Sequence, residues 1–230
     1  MDEEFKNDPN SRGKFHELML FLTIFLASLA FPAEFFCPEG YCPFLITALV
    51  TIFRNLGLSA LIFGLLRLRK EPFCRIGWTG QELGKNLFWG VAIFPLFYFS
   101  VGLVLDFFTW LGLSHIEEVP VSLNPKGVWE IILGGILVLV VAFAEEIIFR
   151  GYLLTRLKEI TGNTWISVIF SVLLFTFGHA YEGTAGMLAV GYIGLVFSLL
   201  FLWKGSLTMV IVLHFLTNFI PIVIVPIMGL

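Results

Sequence analysis

The chain has 230 residues, of which 58% are apolar and 13% are charged, and its mean hydropathy is +0.92. Soluble domains average about 45–50% apolar and about 25% charged residues. This composition excludes an ordinary water-soluble globule, because no protein surface could hide that much hydrocarbon. The net charge is −3, and without a basic tract or basic face the sequence argues against nucleic-acid binding.

Long apolar runs separated by short charged islands predict an all-α fold, a polytopic membrane bundle with its functional site inside. A spanning helix needs roughly 20 apolar residues. The sequence offers about seven candidate spans, at 18–36, 45–66, 87–110, 128–155, 165–181, 185–203 and 206–228. No loop is long enough to fold alone, so a single integral membrane domain is predicted over 1–230, with a polar N-terminal segment at 1–17.

Lysine and arginine in the short loops predict the orientation of the bundle. They fall on one side of a seven-span arrangement: Lys6, Arg12, Lys14, Arg67, Arg69, Lys70, Arg75, Lys85, Arg156, Lys158 and Lys204. The opposite loops hold Glu34, Glu39, Glu117 and Glu118 against Lys126. We therefore expect an inner or plasma membrane protein with a cytoplasmic N-terminus and an external C-terminus. The acidic balance of the first 17 residues favours an uncleaved first span over a signal peptide.

Two cysteines, Cys37 and Cys42, fall in a loop that is predicted to face outward. An oxidising compartment could join them, so a disulfide and two free thiols are both open at this point. Cys74 lies in the basic loop, where a reduced thiol is expected.

Six polar side chains stand inside the later spans, where burial of a charge in hydrocarbon is expensive and marks a functional candidate. They are Glu145, Glu146, Arg150, His179, His214 and Asn218. Helical spacing places Glu146 and Arg150 at i and i+4, close enough to pair. Glu145 is rotated from Glu146 by about 100°, so it points elsewhere and has no local counter-ion. A purely structural ion network is the alternative interpretation.

The two histidines inside predicted spans, His179 and His214, each have a possible catalytic role. A turn at Gly162 lies 17 residues after Glu145 and 17 before His179, so an antiparallel hairpin would place both at similar depth, roughly 25 Å from the turn. Such a pair could act as an acid and a base. His214 and Asn218 share a helix face and lack an obvious local partner, and they could hold an oxyanion. Plain interhelical hydrogen bonds are the alternative for both histidines.

Three motifs in order carry a resemblance to a known family: Glu145-Glu146-x-x-x-Arg150, Phe175-x-x-x-His179 and His214-x-x-x-Asn218. They resemble the motifs of the CPBP family, also called the Abi family, of CAAX-type and bacteriocin-processing intramembrane endopeptidases. The resemblance covers roughly 130–220, with a catalytic core at 128–220, and the first 110 residues show none.

The resemblance implies a glutamate-dependent protease inside a helical bundle. Glu145 would be the general base, His179 would help it to orient and deprotonate a water, and His214 with Asn218 would stabilise the oxyanion. Glu146 and Arg150 would have a supporting role. No cofactor is expected. Zinc is the less favoured alternative, because the sequence lacks a His-Glu-x-x-His helix and asparagine is a poor zinc ligand.

The predicted function is therefore endopeptidase cleavage of a membrane-associated protein or peptide, one that is lipidated or tagged at its C-terminus, with membrane lipid as the other partner. One alternative is a non-proteolytic scaffold or a bacteriocin self-immunity protein of the same fold. Another is a small transporter, for which the inverted repeats that such proteins usually carry are not evident.

Overall fold

The structure, a computed structural model, describes residues 9–37, 42–115 and 121–228. Within these ranges the chain forms helices and no strand, which confirms the predicted all-α fold class. The seven main helices are α1 (Pro9–Leu29), α2 (Phe44–Leu68), α3 (Leu83–Trp110), α4 (Gly127–Thr161), α5 (Thr164–Phe177), α6 (Gly183–Lys204) and α7 (Leu207–Met228). Short 3₁₀ turns lie at Ala33–Phe36, Phe73–Ile76, Val121–Leu123 and Ala180–Glu182.

Five helical segments among the described residues are long and apolar enough to cross a membrane. They are α2, α3, α4, α7 and Ala180–Lys204, the segment that contains α6. The chain is therefore an integral membrane protein built as a helical bundle. Helix α5 is apolar but has 14 residues, which gives it a length of about 21 Å against a hydrocarbon core of about 30 Å.

Two predicted spans are wrong at their ends. The first, 18–36, is not one helix, because α1 begins at Pro9 and ends at Leu29. Pro32, which has an extended backbone and cannot donate a backbone hydrogen bond, separates α1 from the turn at Ala33–Phe36. The other, 165–181, ends early, since α5 stops at Phe177.

Helix α4 occupies the centre of the bundle, and every residue of its Ile147–Leu154 segment is buried. It contacts α2, α5 and α7 directly. Helix α3 lies at the periphery, where its buried residues are Asn86, Gly90 and Phe97. Lipid-facing surface of this kind needs no polar cover, because the surrounding solvent is itself hydrocarbon.

Helices α4 and α7 widen into π-helical turns shortly after their site residues, which are Glu145 and Glu146 in α4 and Asn218 in α7. In α4 the wide segment is Ile147–Leu154, and in α7 it is Ile220–Ile224. Pro221 lacks a backbone N–H, so a regular turn cannot close there. At Gly151 a Cβ would lie 2.9 Å from the backbone oxygen of Ile76, so only glycine allows this approach of the chain. Such π-helical turns occur frequently at functional sites.

The hairpin between α4 and α5 has its predicted turn, because Gly162 adopts φ +67° directly after α4. The Asn163 side chain then accepts hydrogen bonds from the backbone N–H groups of Trp165 and Ile166, which caps α5.

The two ends of the bundle differ in their polar chemistry. At the end where α1 begins and α4 ends, basic residues pair with carboxylates in a network of Lys14, Glu17, Arg69, Glu71, Arg75, Arg156 and Glu159. At the other end a disulfide joins Cys37 to Cys42, which decides between the two alternatives left by the sequence. Cys74 is a free, exposed thiol. The loop charges Lys6, Glu39, Glu117 and Glu118 lie outside the described residues.

Candidate active site

The first motif forms a buried ion pair in the middle of α4. Arg150 Nη1 donates a hydrogen bond to Glu146 Oε1 at 2.9 Å, and the two side chains are 1% and 0% exposed. Arg150 Nη2 also donates to the backbone oxygen of Gly194 on α6, at 3.3 Å. The predicted pairing of these residues is confirmed, and it anchors the carboxylate of Glu146 inside the bundle.

Aromatic rings surround the guanidinium of Arg150. Its central carbon lies 4.4 Å from the ring centroid of Phe175, 5.3 Å from that of Phe197 and 6.0 Å from that of Phe149. A Cβ at Gly194 would lie 3.1 Å from the Phe175 ring and 3.5 Å from Arg150 Nη2, so glycine leaves the space that the arginine uses. These contacts hold the charged group by cation–π attraction and packing.

His214 connects the two acids. Its Nδ1 lies 2.7 Å from Glu146 Oε1, and its Nε2 lies 3.8 Å from Glu145 Oε2. Because the paired carboxylate of Glu146 can only accept, Nδ1–H is the donor, and this bond fixes the orientation of the ring. The bond joins residues 68 positions apart, so this partner was not predictable from local spacing.

Glu145 shares His214 with its neighbour but makes no hydrogen bond to the described residues. Its Oε2 is buried without a hydrogen-bond partner among the described residues, yet its side chain is 17% exposed, against 0% for Glu146. The rotation of about 100° between successive helical positions therefore separates an acid whose Oε1 accepts two hydrogen bonds from one that accepts none from the described residues.

His179 does not lie inside the fifth span, as the sequence predicted, but in the turn that follows α5. Its Nδ1 lies 2.8 Å from the backbone oxygen of Phe175. A carbonyl oxygen can only accept, so Nδ1 carries the proton and Nε2 of the neutral ring is left with a lone pair. The ring packs on Phe175 with centroids 4.7 Å apart, and Phe175 also meets the ring of His214 edge-on at 6.3 Å.

No hydrogen bond or ion pair joins Glu145 to His179 in the part of the chain that the structure describes. Both of them instead interact electrostatically with Glu182, in the 3₁₀ turn after His179. Glu145 and His179 thus share Glu182 as a neighbour, and their common depth stays a prediction.

Asn218 lies one helical turn beyond His214 on α7 and is half-buried. Its amide makes no hydrogen bond to the described residues, so the amide N–H groups are available to a bound molecule.

Two further charges near these residues were not selected from the sequence. Glu182 is one of two charged residues after Trp165, the other being Lys204, and that scarcity was the available signal. Arg54 stands inside the predicted span 45–66 and interacts electrostatically with Tyr181. A charge within an apolar run was its signal, the same one that identified the later motifs.

The turn that carries His179 lies at membrane depth, because α5 is too short to reach the far side. Backbone without helical hydrogen bonds is tolerated at that depth only where it is buried in protein or lines a water-filled cavity. Glu182 in this turn is half-buried. The break in the helices therefore brings the polar side chains of His179 and Glu182 to membrane depth, and we call the region between them and Glu145 the recess.

Within the described ranges, no group of three or more histidine, cysteine or acidic side chains is arranged to hold a metal ion.

Residues 127–220 match a family model described as Type II CAAX prenyl endopeptidase Rce1-like. This part of the chain, less than half of its length, is similar to the Rce1-like family. The resemblance to the CPBP proteases is thereby confirmed, and the family indicates a CAAX-type intramembrane protease that acts on a protein substrate. No curated protein and no solved structure shows a significant match to the chain.

Proposed function

We propose that the chain is a glutamate-dependent intramembrane endopeptidase in which Glu145 activates the attacking water. The observation that carries this proposal is the contrast between two adjacent acids. Arg150 and His214 both hydrogen-bond to Glu146, whereas the Glu145 carboxylate makes no hydrogen bond to the described residues, is partly exposed and lies 3.8 Å from His214 Nε2. A carboxylate that is neither neutralised nor hydrogen-bonded can accept a proton from water, as a general base must.

In the proposed reaction Glu145 takes one proton from a water, and the resulting hydroxide attacks the carbonyl carbon of the scissile peptide bond. His179 orients this water through Nε2, the nitrogen left with a lone pair by the bond to Phe175. The tetrahedral intermediate then collapses and the C–N bond breaks. The proton held by Glu145 passes to the departing amine, so that one water is consumed for each bond cut.

His214 and Asn218 are the proposed oxyanion donors. To donate to the oxyanion, His214 must carry a proton on Nε2 as well as on Nδ1, and Nε2 lies on the side of Glu145, 3.8 Å from its Oε2. The unpaired amide of Asn218 lies one helical turn away on the same face. Donors that are held in place before the reaction stabilise a developing negative charge most effectively. Glu146 and Arg150 act as positioning residues, because their bonds set the ring of His214.

We propose that this chemistry requires no metal. Zinc sites use three or four histidine, cysteine or carboxylate ligands, but Glu146 and Nδ1 of His214 are already bonded to each other. Cleavage by the purified protein should therefore survive dialysis against EDTA and 1,10-phenanthroline. Loss of activity in chelator that zinc restores would contradict the metal-free mechanism.

The proposed substrate is a membrane-anchored protein or peptide that is lipidated or carries a C-terminal tag. The protein is proposed to lie in the inner or plasma membrane. In the proposed orientation the N-terminus and the basic end of the bundle face the cytoplasm, and the C-terminus lies outside. The charge bias between the loops supports this orientation.

Proteomics of protein termini in cells tests the proposed function. Cells that produce the wild-type protein are compared with cells that produce Glu145→Ala, and with Glu130→Ala as a matched control on the same helix. A terminus that is present with the wild-type and control proteins and absent with Glu145→Ala is the expected result, and it identifies both the substrate and the scissile bond. Identical termini in all three would favour a non-proteolytic scaffold or immunity protein instead.

A further inference from the structure

Arg54 is a charged residue in the middle of an apolar helix, and none of the described residues pairs with its charge. It lies between the apolar stretches that make up α2, a helix long enough to cross the membrane. Its side chain is half-buried and makes no hydrogen bond or ion pair with the described residues. An arginine at this depth normally pairs or faces a polar cavity, so it marks a functional site.

The packing of α2 against α4 places Arg54 at the level of Glu145. The two helices run parallel, since Phe44 meets Gly134 near one end and Glu71 binds Arg156 at the other. Arg54 is ten residues from Phe44 and Glu145 is eleven from Gly134. At 1.5 Å per residue both therefore lie about 15–17 Å from the same starting level.

Arg54 is also close enough to the turn after α5 for its charge to act on that turn. It interacts electrostatically with Tyr181, and the ring of Tyr181 lies 6.0 Å from the ring of His179. Two acids, Glu145 and Glu182, lie in this region and interact with each other. A further anion could enter it only beside a positive charge, and Arg54 is a cation placed to provide one.

We infer that Arg54 binds the C-terminal carboxylate of the substrate peptide. This inference rests on the proposed function and specifies which end of the substrate enters the recess. A peptide that is cut near its end must bring its α-carboxylate to membrane depth, where an uncompensated charge is unfavourable. A guanidinium matches a carboxylate in charge and in its planar, two-donor geometry. Arg54 thus selects substrates by a free C-terminus, on the leaving-group side of the scissile bond.

Binding of two synthetic peptides tests the inference without relying on catalysis. Both carry a farnesylated cysteine followed by three residues, and one ends in a free acid while the other ends in an amide. Their affinities are measured by fluorescence in detergent micelles, on Glu145→Gln protein that keeps Arg54 or carries Arg54→Gln or Arg54→Lys. Arg67→Gln, at the exposed end of the same helix, is the matched control.

We expect the protein with Arg54 to bind the free acid about ten- to a hundredfold more tightly than the amide, as lost charged hydrogen bonds imply. Arg54→Gln should bind both peptides with the affinity that the amide shows, Arg54→Lys should keep part of the preference, and Arg67→Gln should keep all of it. A preference that persists in Arg54→Gln would overturn the inference, as would equal affinity for both peptides or no binding of either. If binding of anionic lipid instead depends on Arg54 while the two peptides bind equally, the site takes a lipid phosphate and the inference is wrong.

The same peptides, incubated with protein that keeps Glu145, separate this inference from the proposed function. Binding that depends on Arg54 without any cleavage would contradict the protease mechanism and leave the carboxylate site standing. Cleavage of both peptides at equal efficiency would support the protease mechanism and contradict the carboxylate site at Arg54.

Discussion

The basic end of the bundle and the candidate active site both gather charges from several helices, but they treat their carboxylates in opposite ways. At the basic end each of the acids Glu17, Glu71 and Glu159 is bound by at least two cations, and Arg156 bonds to all three. Glu17 also accepts a hydrogen bond from the hydroxyl of Tyr152 at 2.8 Å. In the site, Glu145 lacks such partners among the described residues.

This difference separates polar groups that hold helices together from polar groups that are left for a substrate. A network with several cations per acid can lose one bond and keep the others. A carboxylate near the middle of a membrane that accepts no hydrogen bond contributes little to folding, so its presence needs another explanation. The buried Glu146–Arg150 pair belongs to the first kind, although it lies within the site.

The largest effect on stability is expected for Arg150→Leu. This change leaves Glu146 charged, fully buried and without its cation, which costs about 3–5 kcal/mol in the free energy of unfolding. Thermal unfolding in detergent measures the loss. The double variant Glu146→Leu with Arg150→Leu should recover a large part of it, because no unpaired charge remains. If the single and double variants are equally unstable, the pair is not what stabilises this region.

A smaller loss is expected for Arg156→Gln in the basic network. The three carboxylates that it binds keep Lys14, Arg69 and Arg75 as partners, so the cost should be about 1.5–3 kcal/mol, as for hydrogen bonds to charged groups. The folded variant should cleave its substrate at the wild-type rate. Loss of cleavage in protein that remains folded would show that the basic network affects the active site, and it would contradict the separation between the two regions.

The smallest effect is expected for Gly194→Ala. Its new Cβ would press on Phe175 and on the guanidinium of Arg150, with a cost of about 1–2 kcal/mol for overpacking. Gly57→Ala in α2 is the matched control, since nothing lies within 4 Å of its Cβ position. Alanine there should be neutral or slightly stabilising. Unfolding temperatures that are the same for both variants would argue against close packing around Arg150.

The sequence predicted what depends on local geometry. The apolar runs predicted the membrane bundle, Gly162 predicted the turn, and the spacing at i and i+4 predicted the Glu146–Arg150 pair. The bond from His214 to Glu146 was not predictable, because it depends on how α7 packs against α4. The early end of α5 at Phe177 was not predicted either. The sequence stays largely apolar from α5 to α6, and hydropathy does not show where the helical hydrogen bonds stop.

Arg54 was visible in the sequence, but its surroundings were not predictable from it. Its charge within an apolar span was visible in the sequence, but the groups that it faces come from the turn after α5, more than a hundred residues later. Only the packing of the helices relates its depth to that of Glu145.

The most direct test of the central claim, that Glu145 is kept unpaired for catalysis, is the cleavage rate of purified, folded Glu145→Gln protein on a farnesylated peptide. Glutamine has nearly the same shape but cannot accept the proton, so the rate should fall by at least about a hundredfold, the usual range for a general base. The unfolding temperature should equal that of the wild-type protein or exceed it, because an unpaired charge has been removed. Cleavage at the wild-type rate by the folded variant would contradict the account.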